Sequence, residues 1–254
     1  MILRRLGNKS KIAETIIAKF PKHKIYIEPF FGAGGMYFNK PKAHCNIMND
    51  LDSDVFNLFQ VTGTKKDELE KAFLTMPKHQ DLLKYWIDNE ETNDIRKALR
   101  FLFLSNYTFL GSGAGLRLSS RNDVGQLYKG LKETNEMLFE VQFTNMDFRK
   151  FIPSISIEDK DRPRTFIYCD PPYLETSNNY VSGFTEEDSG DLFKILIESK
   201  CKFAMSEFNH PFILEQAKEY NLNVDIVGER MNLKNRRVEI LVTNYQNAPT
   251  LFST

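Results

Sequence analysis

A chain of 254 residues, 41% hydrophobic and 27% charged, has the composition of a globular protein with room for a full core. Its 34 basic and 34 acidic side chains cancel, which excludes a small, uniformly basic DNA binder, and no run nears the ~18 uninterrupted apolar residues of a membrane span. Cys45, Cys169 and Cys201 are odd in number and far apart, as expected of reduced thiols in the cytoplasm; His23, His44, His79 and His210 are scattered, so no metal site is expected.

Met1-Ile2-Leu3-Arg4-Arg5 lacks a following apolar stretch and does not read as a signal peptide. Apolar residues at Ile12, Ala13, Ile16, Ile17 and Phe20 predict a helix from Lys9 to Phe20, ended by Pro21. Ile25–Glu28 reads as a strand, followed by a glycine turn at 32–35 and a short helical stretch from Met36 to Lys40. Asn46–Asp50 is a second strand ending in an acid, and Asp54–Val61 looks helical. After Thr62 the pattern changes to long amphipathic helices through 105, then a glycine- and serine-rich basic loop or hairpin at 111–125. Strands resume at Val141–Thr144, Thr165–Cys169, Lys202–Ser206, Asn223–Val227 and Val238–Asn244, with helices at Thr185–Glu198 and Pro211–Tyr220. Thr185 with Asp188 three residues on is a capping pair. The expected architecture is α/β: a core of 1–61 and 136–254 with a mainly helical insertion at 62–135.

Three strand ends carry chemistry. Glu28-Pro29-Phe30-Phe31-Gly32-Ala33-Gly34-Gly35 turns tightly and lets the backbone approach a ligand, although its spacing is not that of a dinucleotide fingerprint. Asp50, after the next strand, stands where an acid binds ribose hydroxyls in open α/β sheets. Together they suit a nucleoside without a pyrophosphate. Asp147, after a third strand, is either an acceptor for an adenine amino group or the cap of a following helix. Near the N-terminus, Gly7-Asn8-Lys9 before a helix is either a carboxylate cradle or a basic tail.

The most telling stretch is Asp170-Pro171-Pro172-Tyr173, directly after the apolar run Thr165–Cys169. Two prolines stop the ladder and stiffen the turn, because they lack N–H donors and fix φ. The carboxylate and a proline carbonyl are acceptors, and Tyr173 is a flat ring. These are the parts needed to hold a planar base by its exocyclic amino group.

In order and spacing these pieces resemble the Dam-like (D12-type, alpha group) DNA adenine-N6 methyltransferases, over nearly the whole chain. The resemblance implies a Rossmann-like S-adenosylmethionine-dependent methyltransferase sheet with an inserted, mainly helical target-recognition domain. It implies that Arg5, Gly7, Asn8, Lys9, Glu28, Pro29, Phe30, Gly32, Gly34, Asp50, Asp147 and Asp170 bind the cofactor. Arg5 stands where the family carries an aromatic residue. Asp170, Pro171, Pro172 and Tyr173 then hold a flipped-out adenine for methylation at N6. Competing expectations are an RNA adenine or DNA cytosine-N4 methyltransferase and a catalytically silent nucleic-acid-binding module; a nicotinamide oxidoreductase fits the glycine spacing poorly.

Local charge supplies the DNA face. Basic residues crowd 1–24, 95–135 and 230–237 while acids lie elsewhere. Asn106, Arg117, Ser119, Arg121 and Asn122 are expected to read base edges, and Lys234, Arg236 and Arg237 to contact phosphates. The other reading of the glycine-rich loop is a lid without a reading role. The expected partner is double-stranded DNA, with no membrane; a cognate restriction endonuclease is a further candidate.

Overall fold

The structure, a computed structural model, describes residues 2–3, 9, 12–108, 115, 123–174, 183–231 and 236–246, leaving aside the side chains of 123, 230, 231 and 236. Its strands are β1 (Ile25–Glu28), β2 (Cys45–Asn49), β3 (Val141–Thr144), β4 (Thr165–Cys169), β5 (Lys202–Phe208), β6 (Asn223–Met231) and β7 (Arg236–Thr243). They form one sheet in the order β3-β2-β1-β4-β5-β7-β6. The pairs from β3 through β5 are parallel, and β7 runs antiparallel to both β5 and β6. Strand order reverses between β1 and β4. In an open α/β sheet the crevice beyond the carboxyl ends of the strands at that reversal is where ligands bind.

The central strand β4 is buried at every residue, so Thr165–Cys169 reads as an unbroken apolar run, as a strand covered on both faces must. The helices are α1 (Ala13–Ile17), α2 (Ser53–Thr64), α3 (Lys66–Thr75), α4 (Gln80–Asp88), α5 (Asp94–Tyr107), α6 (Asp123–Leu138), α7 (Phe148–Ser154), α8 (Glu186–Glu198) and α9 (Pro211–Glu219). Local chemistry starts several of them. Thr185 and Asp188 form the reciprocal capping box of α8. Asp52 caps α2, and His210 caps α9 with Pro211 in its first turn.

Two apolar clusters cover the sheet. One joins Tyr26, Met48, Phe166, Tyr168, Ala204 and Leu241 to α1 and to the helices α2–α6. The other joins Ile27, Ile167, Cys169, Phe203, Met205 and Ile240 to α7, α8 and α9. The helices that follow Thr62 therefore share a continuous core with the sheet, and α2 runs on to Thr64 and α6 to Leu138. Helix α1 is shorter than the predicted Lys9–Phe20 segment, and β5 and β6 run further than their predicted ends.

Candidate active site

A cavity of about 620 Å³ opens at the reversal between β1 and β4, within the ordinary size range of small-ligand sites. Its floor is the turn after β1. Gly32 has φ +53 and no atom within 4 Å of where a Cβ would stand, so the backbone itself faces open space. The Gly32 N–H donates to Asp50 Oδ2 at 2.6 Å, and the Asp52 N–H donates to Asp50 Oδ1 at 2.8 Å. Asp50 thus ties the β1 turn to the end of β2. Gly34 does not line the cavity: it has φ +70, and a Cβ there would strike Phe38 and Phe31, so its requirement is one of packing. Gly35 lines the wall in its place.

Asn49 is a tie that no motif announced. Buried at the end of β2, its Nδ2 donates to the carbonyls of Pro29 at 3.0 Å and Met146 at 2.9 Å. Its Oδ1 accepts from the Thr144 hydroxyl at 2.8 Å and the Met146 N–H at 3.0 Å. One side chain therefore locks three strand-end loops around the cavity.

Glu28, fully buried, accepts from the Tyr26 hydroxyl at 2.8 Å. Burial, and less strongly the nearby Asp170 and Asp50 carboxylates, push its carboxyl up to about 8 against the opposing Tyr26 hydrogen bond. Lys40 sits 4.0 Å over the Tyr26 ring, and burial pulls its ammonium down to about 8.

On the β3 side, Asp147 caps α7 by accepting the Arg149 N–H at 2.8 Å, so the helix-cap reading of this acid is realised while it also lines the cavity. Beside it Phe30, Phe148 and Phe184 make a three-ring wall, with centroids 5.5, 6.1 and 6.0 Å apart. Arg149 lies 4.6 Å over Phe148 and pairs with Asp191 at 2.6 Å and with Asp188, joining α7 to α8.

Asp170 follows β4 and faces the cavity, its side chain 21% exposed. Lys9 Nζ donates to Asp170 Oδ1 at 2.6 Å, lies 3.2 Å from Glu239 Oε1 and sits 4.3 Å from the centre of the Tyr173 ring. Pro171 is buried and Pro172 lines the cavity. The Tyr173 hydroxyl donates to Glu239 Oε1 at 2.8 Å, and its ring meets Phe208 edge-on at 4.6 Å. Arg237, on β7, lies 5.3 Å from the other partner in this contact, Phe208.

The expected residues divide accordingly. Lys9, Glu28, Pro29, Phe30, Gly32, Asp50, Asp147, Asp170 and Pro172 come together around one cavity, while Pro171 and Tyr173 are buried beside it and do not line it. Arg5, Gly7, Asn8, Arg117, Ser119, Arg121, Asn122, Lys234 and the Arg236 side chain lie outside the described residues. Asn106 corrects the base-reading set. It is buried in α5, and its Nδ2 donates to the carbonyls of Ile2 at 2.9 Å and Leu102 at 3.0 Å, so it has no face toward a groove. Helix α5, through Lys97 and Arg100, and the connection before it, through Glu90 and Glu91, also line the cavity.

A cavity of small-ligand size at the sheet's reversal, with a bare glycine turn and strand-end carboxylates at Asp50 and Asp170, is the arrangement in which open α/β folds bind a nucleoside-type ligand. The sequence comparison supplies the family: the D12 class N6 adenine-specific DNA methyltransferase model matches residues 6–238, and the chain belongs to that family. It is similar to the Type II methyltransferase M1.LlaDCHI of Lactococcus lactis subsp. cremoris, 26% identical over 95% of this chain and 94% of that protein. It is also similar to the DNA adenine methylase of Escherichia coli strain K12, 25% identical over 96% and 94%. The DNA adenine methylase of Salmonella typhi is 27% identical over 74% of this chain and 70% of its own length. The protein is an adenine-N6 DNA methyltransferase, and its methyl donor is S-adenosylmethionine. The bare backbone at Gly32, the Asp50 carboxylate and the aromatic wall fit that donor.

Proposed function

We propose that Asp170, Pro171, Pro172 and Tyr173 hold a flipped-out adenine while Gly32, Asp50, Asp147 and the wall of Phe30, Phe148 and Phe184 hold the cofactor. The observation that carries this reading is Asp170, a carboxylate at the end of β4 that opens onto the same cavity as Gly32 and Asp50. S-adenosylmethionine, when bound, supplies an activated methyl group with a neutral thioether as leaving group. The chain's task is alignment and charge. Asp170 and the Pro171 carbonyl accept the N–H groups of the adenine amino group and bring its lone pair out of the ring plane. The carboxylate stabilises the positive charge that develops on that nitrogen. Tyr173 offers a stacking face worth about 1–3 kcal/mol, against the few kcal/mol that extrusion of the base costs.

The helices of 62–135, with the glycine-rich basic segment 112–125, form the target-recognition part, and Lys234, Arg236 and Arg237 bind phosphates of double-stranded DNA. A cognate restriction endonuclease sharing the target sequence is the proposed partner, on the similarity to a type II methyltransferase. A DNA substrate and three unpaired cysteines suit the cytoplasm. The test is transfer of labelled methyl groups to double-stranded DNA, to RNA and without substrate. Label on adenine N6 of DNA, lost in Asp170→Ala with cofactor binding retained, is the expected result. Near-parental turnover in Asp170→Ala overturns the mechanism, and label on RNA alone overturns the substrate.

A further inference from the structure

Two glutamates that no motif marks lie behind the Asp170–Tyr173 turn, and both are fully buried: Glu207 in β5 and Glu239 in β7. These strands pair antiparallel with Glu207 opposite Ile240 and Phe208 opposite Glu239. Residues directly opposite share a face of the sheet, and neighbours along a strand alternate. Ile240 belongs to the cluster under α8 and α9, whereas Leu241, two residues from Glu239, belongs to the cluster on the other face. The two carboxylates therefore approach the turn from opposite faces.

Each grips a different part. Glu239 accepts the Tyr173 hydroxyl at 2.8 Å and lies 3.2 Å from the Lys9 ammonium, which in turn donates to Asp170 at 2.6 Å. Glu207 accepts the backbone N–H of Leu174, the residue after the tyrosine, and the N–H of Phe208 at 2.7 Å. Phe208 braces the Tyr173 ring edge-on. A buried carboxyl group is costly unless it is hydrogen-bonded, and here the partners are the turn, through the Tyr173 hydroxyl and the Leu174 N–H, and the residues beside it, Lys9 and Phe208.

We infer that Glu239 is a positioning residue for methyl transfer, fixing the Tyr173 ring and, through Lys9, the Asp170 carboxylate, while Glu207 fixes the backbone of the turn from the other face. This rests on the proposed roles of Asp170 and Tyr173. Glu239 does not line the cavity; it acts by holding the ring plane and the acceptor in mutual register.

The experiment compares full-length parent, Glu239→Gln, Glu239→Ala, Tyr173→Phe and the Glu239→Ala/Tyr173→Phe double variant, with Asp170→Ala beside them. The substrate is unmethylated genomic DNA. Glu239→Gln keeps an oxygen for the tyrosine hydroxyl and loses the charge that holds Lys9. A fall in kcat of about 10- to 100-fold is expected for Glu239→Ala, the loss of one charge-assisted hydrogen bond, with a smaller fall for Glu239→Gln. The KM for DNA should move less than about twofold, because phosphate contacts dominate that affinity. Tyr173→Phe should add little further loss in the Glu239→Ala background, since the bond between this hydroxyl and the Glu239 carboxyl is already gone there.

A kcat per folded molecule within about twofold of parent in Glu239→Gln and Tyr173→Phe overturns the inference, even if Glu239→Ala does not fold. Losses that multiply in the double variant, or that appear only as a lower melting temperature, overturn it also. If Asp170→Ala itself turns over normally, the reading of the site falls and the inference with it; if only the Glu239 variants are normal, the inference alone falls.

Discussion

Replacing Asp50 separates two roles that its position combines. Its carboxylate receives the Gly32 N–H at 2.6 Å and the Asp52 N–H at 2.8 Å, and it lines the cavity proposed to hold the cofactor. Buried hydrogen bonds to a charged acceptor are worth about 1.5–3 kcal/mol each. Asp50 is half-exposed, so water replaces part of that, and about 1 kcal/mol each is the discounted figure. Asp50→Ala should then cost about 2 kcal/mol of stability, or roughly 4–8 °C in Tm for a chain of this size. Cofactor affinity should fall by about 10- to 100-fold, because the ribose acceptor goes and the Gly32 turn loses its tether. Asp50→Asn keeps one oxygen, enough for the Gly32 N–H, and turns an amide N–H toward that of Asp52. Its Tm should lie between parent and Asp50→Ala, while its affinity falls nearly as far as in the alanine variant. Calorimetry with S-adenosylmethionine and thermal unfolding, run on the same samples, read the two effects apart. A lowered Tm with affinity within twofold of parent in both variants would show that Asp50 only braces the loop, and would remove it from the cofactor site.

Removing the Phe184 ring opens one side of the Phe30–Phe148–Phe184 wall and should weaken cofactor binding by about 5- to 12-fold, from about 1–1.5 kcal/mol of aromatic contact; unchanged affinity in Phe184→Ala sinks that role. Burial, the largest cause, pushes the Glu207 carboxyl up to about 8, so the folded protein keeps a proton there that the unfolded chain loses above the ordinary value of 4.5. Stability from this group is greatest below about pH 4.5 and falls as pH rises toward 8, so Glu207→Gln should gain on the parent across that window, by roughly a few kcal/mol; a parent-to-variant gap that stays constant from pH 5 to 8.5 in urea unfolding counts against it. Arg117→Ala and Arg121→Ala should redirect or relax the methylated sequence, whereas Arg236→Ala should weaken binding to all sequences alike and lower its salt dependence. Sequencing of the methylated DNA checks this, and an unchanged site in both loop variants with a changed one in Arg236→Ala reverses the assignment.

What was legible in the sequence was whatever is written within a few residues. The run Thr165–Cys169 announced a strand buried on both faces because parallel strands must be apolar throughout. Thr185 and Asp188 announced a helix start, since a capping box closes within one turn. Gly32, Asp50, Asp147 and Asp170 each stand just past a strand, and parallel strands put all their carboxyl ends on one edge, so this glycine and three acids converge without any long-range information.

Side chains whose role depends on a distant partner were not legible. Asn106 looked like a polar group beside a basic loop, although its spacing from Leu99, Leu102 and Phe103 places it on the buried stripe of α5; only the approach of the Ile2 carbonyl shows what it does there. Asn49 sits next to a recognised acid, but the loops it joins are brought to it by β1 and β3. Phe184 is far along the chain from Phe30, and Glu239 is 66 residues from the tyrosine it holds. The sequence by itself determined the α/β class, the family and the strand-end acids, because periodicity and turn chemistry are short-ranged. The tertiary structure alone decided which buried polar groups brace the site and that the helices after Thr62 help wall it, because a buried hydrogen bond depends on what the fold carries to within 3 Å, and chain distance sets no limit on that.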